Sequence, residues 1–180
     1  GKALAIAKQA AANVAVDQPT KEGWHLGPLS SRAQFDKVQG LIHTGIEEGA
    51  TLVAGGLGKP EGLETGYFVK PTIFGDVNNE MTIAREEIFG PVLTMIPFDS
   101  EEQAIEIAND TPYGLSAYFS TGSEERAKRV AGKLRAGMVS VNSASQNYTA
   151  PFGGYKQSGN GREWGEFGFD DFLEIKGITV

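Results

Sequence analysis

The stretch VLTMIPFDSEEQAIEIANDTPYGLSAYFS, residues 92–120, decides the fold class of this chain. Its first part, 92–98, and its last, 115–120, are apolar runs with the length and composition of strands. Between them, the pattern Ser-Glu-Glu-Gln at 100–103 is a capping box at the start of a helix. Two strands joined by a helix run parallel through a right-handed crossover. The stretch therefore predicts an α/β protein with a mostly parallel sheet flanked by helices.

The same alternation extends in both directions along the chain. Downstream, a further capping pattern at 121–124 predicts a helix, which a strand at 138–141 follows. Upstream, Ser31 and Gln34 form the same pattern at the start of a helix that ends at Gly49. The other predicted elements are an alanine-rich helix at 2–16, a loop at 17–29, and strands at 51–54 and 67–74 separated by a glycine-rich joint. The sequence alone does not set the order of the strands.

Composition excludes several classes of protein. Hydrophobic residues make up 40% and charged residues 22% of the 180 residues, and no apolar run approaches the roughly 18 residues that a membrane span needs. A net charge of −7 opposes sequence-independent binding to nucleic acid. The N-terminus lacks a basic flank followed by an apolar core, and the sequence has no cysteine for a disulfide scaffold. We therefore expect a cytosolic protein that binds neither nucleic acid nor a membrane.

Several common site motifs fail when their residues are checked. The stretch GYKQSGNG, residues 154–161, has P-loop glycine spacing, but Asn160 and Gly161 stand where Lys and Ser or Thr must meet phosphate and Mg²⁺. A dinucleotide fingerprint there would need its third glycine where Trp164 stands. The two histidines have no cysteine partners for a zinc site, and no Gly-x-Ser-x-Gly elbow is present. Hydrolase, kinase and zinc-enzyme interpretations are therefore not supported.

The turn EEIFGP, residues 86–91, is the remaining candidate for chemistry. A carboxylate can accept hydrogen bonds from both hydroxyls of a ribose, and an aromatic ring two residues later can pack against the sugar. Glu87 and Phe89 have this spacing. The alternative is a solvated pair of glutamates beside a core phenylalanine, and the residues alone leave both interpretations open.

The stretch REEIFGPV at 85–92, together with PFGGYKQSGNGRE at 151–163, resembles the aldehyde dehydrogenase family. The motifs GPL at 27–29 and GYFVKPT at 66–72 agree in order and spacing, so the resemblance covers essentially the whole chain. It implies that Glu87 binds the nicotinamide ribose of NAD or NADP and that Phe89 lies against it. It also implies that Gln34 and Lys37, at less distinctive positions, reach the same ribose.

The resemblance further implies roles for residues near the C-terminus. Phe152 matches an aromatic side chain that lines the aldehyde tunnel, and the segment 143–149 matches a variable wall of that tunnel. Arg162 and Glu174 match positions that the family uses for ion pairing near a subunit interface. For an exposed pair in general, a contribution of under about 1 kcal/mol is the safer expectation.

The implied reaction oxidises an aldehyde to a carboxylic acid through a cysteine thiolate. The sequence has no cysteine, and in the family the nucleophile and the general-base Glu precede the matching region, so we expect no catalytic residue and no metal site in this chain.

We expect residues 1–171 to be the C-terminal part of a catalytic domain. Residues 172–180 alternate polar and apolar side chains like a strand. The resemblance implies that this strand joins the subunits of a homodimer or homotetramer. The alternative is that it forms the last strand of the domain's own sheet. A non-catalytic assembly module is the alternative function.

Overall fold

The computed structural model describes residues 1–180, in which helices and strands alternate as the sequence predicts. The elements in chain order are α1 (Lys2–Ala12), α2 (Arg32–Glu47), β1 (Thr51–Ala54), β2 (Thr72–Gly75), α3 (Thr82–Arg85), β3 (Val92–Thr94), α4 (Glu101–Asn109), β4 (Ser116–Phe119), α5 (Glu124–Lys133), β5 (Met138–Val141), a 3₁₀ turn (Lys156–Ser158) and α6 (Phe167–Asp170). The chain divides into two units, Gly1–Pro97 and Phe98–Val180. The predicted boundary at residue 171 concerns the role of the tail and stays a prediction.

A three-stranded sheet in the order β1-β2-β3 lies in the first unit. β2 pairs with β1 antiparallel and with β3 parallel. All four residues of β2 are buried, as expected for a central strand covered on both faces. Helix α2 packs on this sheet, and its Val38 and Ile42 join Phe74 in the core with no exposed surface. The core of this unit consists of Val38, Ile42, Ala50, Val69, Phe74, Val77, Ile83 and Ile88.

Helix α2 begins where the sequence predicts. Ser31 has extended backbone angles, and its Oγ accepts a hydrogen bond of 3.2 Å from the Gln34 N–H. This cap satisfies one of the donors that a helix N-terminus leaves open. The reciprocal bond of a capping box is replaced, because the Gln34 side chain bonds to a distant loop instead.

The second unit contains the parallel pair β4 and β5, joined through α5. Asn109 at the end of α4 links α4 to the end of α5. Its Nδ2 donates to Lys133 O at 2.9 Å, and its Oδ1 accepts from Arg135 N at 2.7 Å. Gly137 then passes so close to the Gly153 carbonyl oxygen that a Cβ could not fit. The segment at 151–163 is thereby seated against the start of β5.

The fold class and the parallel pairing of β4 with β5 confirm the sequence prediction. Several details differ. The predicted strand at 67–74 is only β2, because Pro71 has no N–H for a ladder and the Tyr67 carbonyl accepts instead from Leu29 N. Helix α1 ends at Ala12, because Leu26 N donates to Ala15 O and draws the next residues into a bridge. The cap of α5 is Ser123 and not Thr121.

The predicted strand at 92–98 is also shorter. β3 ends at Thr94, although Met95 N still donates to Phe74 O at 2.9 Å. Pro97 cannot donate to a ladder, which agrees with this early end.

The tail at 172–180 forms no strand in this chain, where no other strand pairs with it. Its apolar residues Ile175 and Val180 are fully exposed. Among the helices, none combines the length and the apolar character of a membrane span. No cluster of three acidic or histidine side chains forms a metal site.

Glu101 at the start of α4 joins α4 to α5. Its carboxylate accepts from Arg129 Nη2 at 2.7 Å and also from Arg126 Nε, both on α5. The hydrogen bonds from Arg129 and then from Arg126 lower the pKa of Glu101. The position at a helix N-terminus favours the same charged form.

We predict that Glu101→Gln lowers the melting temperature at pH 7 and that the difference closes in acid. Because the Glu101 pKa is lower in the folded chain, the stabilisation is complete above the unfolded glutamate pKa of about 4.3 and is lost as pH falls through the folded value. Circular dichroism melts from pH 7 to pH 3 measure it. Glu106→Gln, an exposed change on the same helix, is the control. An equal difference at both pH values would contradict the prediction.

Candidate functional site

The segment at 86–90 forms a loop between α3 and β3, in which Ile88 faces the core and its two neighbours face solvent. Ile88 points inward, is 8% exposed and belongs to the core of the first unit. Glu87 and Phe89 on either side of it are exposed. The buried Ile88 therefore anchors a loop that presents one carboxylate and one aromatic ring outward.

Phe89 has a backbone conformation that phenylalanine rarely adopts. Its φ is +58°, in the left-handed region, which costs an L-residue with a Cβ roughly 1–2 kcal/mol. Its ring is 72% exposed, so burial of the ring does not offset this strain. Strained backbone of this kind is concentrated at functional sites.

Two side chains of α2 hold the loop through its carbonyl oxygens. Gln34 Nε2 donates to Ile88 O and to Phe89 O, each at 3.0 Å. Lys37 Nζ donates to Glu87 O at 2.7 Å. Residues three apart lie on one face of a helix, so both donors reach three successive carbonyls.

Gly90 completes this attachment by close approach. A Cβ at Gly90 would lie 2.8 Å from Val38 Cγ2 and 3.0 Å from Val38 Cγ1, both on α2. Val38 is completely buried. The loop can therefore lie against α2 only because residue 90 has no side chain.

The structure brings together the four residues predicted to bind the cofactor, Gln34, Lys37, Glu87 and Phe89. It also shows what the sequence analysis missed, namely that the amide and the ammonium group bond to the loop itself. The available signal was the spacing of Gln34, Lys37 and Val38 on one helical face, but no sequence pattern indicated hydrogen bonds from that face to the carbonyls of residues 87–89. Ribose binding by these residues stays a prediction.

Phe152, predicted to line an aldehyde tunnel, lies in the second unit within a group of three aromatic rings. Trp164 lies 4.8 Å from the Phe152 ring and 4.8 Å from the Tyr148 ring, centroid to centroid. Phe152 and Glu163 exchange two backbone hydrogen bonds of 2.7 Å, which fixes this arrangement. Phe152 and Trp164 line an open cavity of about 590 Å³, together with Met138.

Arg162 stabilises the segment that carries Phe152. Its Nη1 donates to the carbonyls of Gly154 at 2.9 Å, Asn160 at 3.0 Å and Gly161 at 2.8 Å. Its guanidinium lies 5.5 Å from the centre of the Tyr155 ring. In this chain Arg162 therefore binds its own segment. Ion pairing at a subunit interface stays a prediction for Arg162 and Glu174.

Lys156 attaches the same segment to the end of α4. Its Nζ donates to Asn109 O at 2.7 Å and to Thr111 O at 3.0 Å. Ser158 Oγ accepts from Gly114 N at 3.0 Å. These bonds give the motif at 151–163 a structural role in addition to the predicted contact with substrate.

The sequence profile of the aldehyde dehydrogenase family matches residues 2–178. The chain belongs to this family. A 3-succinoylsemialdehyde-pyridine dehydrogenase from a Pseudomonas species is 56% identical over 173 residues, which are 96% of this chain and 36% of that protein. The predicted family resemblance is thereby confirmed. The chain spans about a third of the length of such aldehyde dehydrogenases.

Solved structures of aldehyde dehydrogenases share the fold. A mutant of aldehyde dehydrogenase C from Pseudomonas syringae, in complex with NAD⁺ and octanal, has a TM-score of 0.92 and 50% identity over 96% of this chain and 36% of its own. The Mycobacterium tuberculosis enzyme in complex with NAD⁺ has a TM-score of 0.90 and 44% identity over 99% of this chain and 38% of its own.

We predict that Gly90→Ala destabilises the chain by about 1–3 kcal/mol, because the added methyl group meets the buried Val38 side chain. Gly40→Ala on α2, where a Cβ would meet nothing within 4 Å, should instead be neutral or stabilising. Urea denaturation measures both free energies of unfolding. Val38→Ala should remove much of the difference that Gly90→Ala makes. If Gly90→Ala were as stable as the unmodified chain, the loop would not depend on this close approach.

Proposed function

We propose that this chain forms the part of an NAD(P)-dependent aldehyde dehydrogenase that holds the nicotinamide ribose and one wall of the aldehyde site. The observation that carries the proposal is the attached loop at 87–90, which presents a carboxylate and an aromatic ring from a strained backbone. Relatives with the same fold hold NAD⁺ in their crystals. The parent activity would be the oxidation of an aldehyde to a carboxylic acid.

The exposed Glu87 and Phe89 fit a nucleotide sugar. The Glu87 carboxylate has two oxygens that can accept hydrogen bonds from two ribose hydroxyls. The exposed Phe89 ring offers an apolar face to the sugar and the neighbouring ring. When bound, NAD(P)⁺ supplies the acceptor for hydride. The contribution of Glu87 and Phe89 is to orient that acceptor, which helps catalysis most when the reacting atoms are held in line.

On the aldehyde side, Phe152 is held by Trp164 and by the bridge to Glu163. We propose that its ring forms part of the apolar wall that excludes water from the aldehyde. The segment at 143–149, which follows β5, would supply the variable part of that wall. Asn142 and Ser143 have positive φ values, so the chain turns sharply where this segment begins.

The family's reaction needs a thiolate that adds to the carbonyl carbon. The sequence has no cysteine, so the proposed activity requires a thiol from outside these 180 residues. A non-catalytic assembly module is the second candidate, favoured by the exposed apolar tail. A cytosolic location stays the prediction made from the sequence.

A chimera tests the catalytic proposal. Residues 2–178 would replace the matching region of unmutated Pseudomonas syringae aldehyde dehydrogenase C. We expect NADH formation from octanal by the chimera and none by the 180-residue chain alone. In the chimera, Glu87→Gln should slow hydride transfer about tenfold or more while weakening NAD⁺ binding less, because orientation is the main loss.

Rapid-mixing measurement of NADH formation and a deuterium isotope effect on the aldehyde separate hydride transfer from binding. Glu86→Gln, the exposed neighbour, is the matched control and should keep the parent rate. Wild-type turnover in the Glu87→Gln chimera would show that Glu87 is not the ribose ligand. Activity of the 180-residue chain alone would contradict the need for an external thiol.

We also propose that the tail at 172–180 binds a second copy of the chain. Its alternating apolar residues are exposed, including Phe172 at 79% and Ile178 at 79%. Unpaired backbone on an apolar strand-like segment tends to pair with another chain. Deletion of residues 172–180 should convert a dimer or larger assembly to a monomer in light scattering. A monomeric full chain would refute this role.

A further inference from the structure

Asn160 and Gly161 lie in the segment at 151–163 that carries Phe152, and they form the only Asn-Gly pair in the sequence. Their backbone belongs to no helix or strand, since it follows the 3₁₀ turn at Lys156–Ser158 and precedes the bridge to Phe152. Asparagine is among the chemically labile residues of proteins. We propose that Asn160 is a site of spontaneous deamidation, at which the folded chain converts this residue to aspartate and isoaspartate.

Both reacting groups are free in the folded chain. Asn160 is exposed, and its side-chain amide makes no hydrogen bond within the chain. The Gly161 N–H likewise has no acceptor within the chain. A Cβ built on Gly161 would meet nothing closer than Asp171 Oδ2 at 3.4 Å. Because glycine has no side chain, the approach of the amide to this nitrogen is uncrowded.

The reaction needs water and no other partner. The Gly161 nitrogen attacks Asn160 Cγ, so an N–Cγ bond closes a succinimide ring. The Cγ–Nδ2 bond breaks, and the amide nitrogen leaves as ammonia with the proton of the Gly161 N–H. Because the two groups belong to adjacent residues, the step is intramolecular and avoids the entropic cost of bringing two molecules together.

Water then opens the succinimide ring at one of its two carbonyl carbons. Opening at Cγ gives aspartate, with the main chain unchanged. Opening at the α-carbonyl carbon gives isoaspartate. The main chain of isoaspartate runs through the former side chain and is longer by one methylene group.

The other asparagines lack this combination of free groups. Asn13 precedes a valine whose N–H donates to Ala11 O at 3.2 Å. Asn79 precedes a glutamate whose N–H donates to the side chain of Asn78 at 2.9 Å. Side-chain amides that are already hydrogen-bonded belong to Asn78, Asn109, Asn142 and Asn147.

Isoaspartate at 160 should loosen the segment that Arg162 holds. Arg162 Nη1 donates to Asn160 O at 3.0 Å and to Gly161 O at 2.8 Å. Isoaspartate turns the first of these carbonyls into a carboxylate and displaces Gly161 by one methylene group, directly before the bridge to Phe152. We expect the Trp164 ring, 4.8 Å from the Phe152 ring, to lose this packing. Aspartate leaves both carbonyls in place and should keep it.

The deamidation itself is independent of the proposed function, because it involves neither cofactor nor aldehyde. Its effect on the wall of the aldehyde site rests on the proposed function, which assigns Phe152 to that wall. The measurements below use neither NAD⁺ nor an aldehyde. They therefore decide the modification whether or not the proposed function holds.

Peptide mapping tests the modification in the 180-residue chain after incubation at physiological temperature and mildly alkaline pH. Trypsin cleaves after Lys156 and Arg162 and releases residues 157–162 as one peptide. We expect mass spectrometry to show that this peptide loses its amide with time. Its isoaspartate form should be a substrate for protein isoaspartyl methyltransferase. The peptide 136–156, which carries Asn142 and Asn147, should keep its amides.

Gly161→Ala and Asn160→Gln are the matched variants. The φ of Gly161 lies outside the left-handed region and a Cβ there has room, so Gly161→Ala should fold normally. Its methyl group hinders the attacking nitrogen, and Asn160→Gln would have to close a larger ring. Both variants should lose the isoaspartate signal over the same incubation. An unchanged signal in both would contradict the assignment to this pair.

A synthetic peptide with the sequence of residues 157–162 shows whether the fold protects the pair. If one hydrogen bond of the Gly161 N–H had to break first, the folded chain would react roughly tenfold more slowly than the peptide. We expect the two rates to agree within this factor. A folded chain that keeps its amide while the peptide converts would overturn the proposal.

Tryptophan fluorescence tests the effect on the aromatic rings. Trp24 is fully exposed, so Trp24→Phe leaves Trp164 as the only tryptophan without removing buried contacts. In this background, conversion to isoaspartate should shift the Trp164 emission to the red, whereas Asn160→Asp should keep the parent emission. Parent emission from the isoaspartate form would refute the loosening of the segment.

Discussion

The attachment of the loop at 87–90 to helix α2 is the constraint on which the first unit depends. The loop leads directly into β3, and Thr72 N at the start of β2 donates to Pro91 O at 2.9 Å. The position of the loop on α2 therefore determines the residue at which β3 starts to pair with β2. A shift of one residue there would reverse which side chains of β3 face the core. The same bonds that present Glu87 and Phe89 thus also fix the sheet register.

This dual use explains how a strained residue persists in a marginally stable chain. The left-handed φ of Phe89 costs roughly 1–2 kcal/mol, and three hydrogen bonds contribute about 0.5–1.5 kcal/mol each. Burial of the Ile88 side chain adds further stabilisation of the loop. The hydrogen bonds and the burial together outweigh the strain, and the donors and the buried side chain all belong to residues other than Phe89.

Much of the fold could be predicted, because its signals are local. The cap at Ser31, the helix that follows residue 100 and the parallel pair β4 and β5 all depend on neighbours in sequence. The roles of Gln34 and Arg162 could not be predicted, because their partners are chosen by tertiary packing. Gln34 bonds to residues 54 and 55 positions away. A capping pattern alone predicts a bond between the Gln34 side chain and Ser31 N–H, whereas the structure has the Gln34 amide bonded to Ile88 O and Phe89 O.

The two segments that the sequence singled out share one structural device, although each belongs to its own unit. In both, long side chains donate to backbone carbonyls and so shape a loop that has little regular structure: Gln34 and Lys37 in one, Arg162 and Lys156 in the other. Carbonyl oxygens are present at every residue, so a donor can shape such a loop whatever side chains the loop carries. The loop's own side chains are then free to face outward, as Glu87 and Phe89 do. The residues that shape each loop are thus distinct from the residues that the loop presents to solvent.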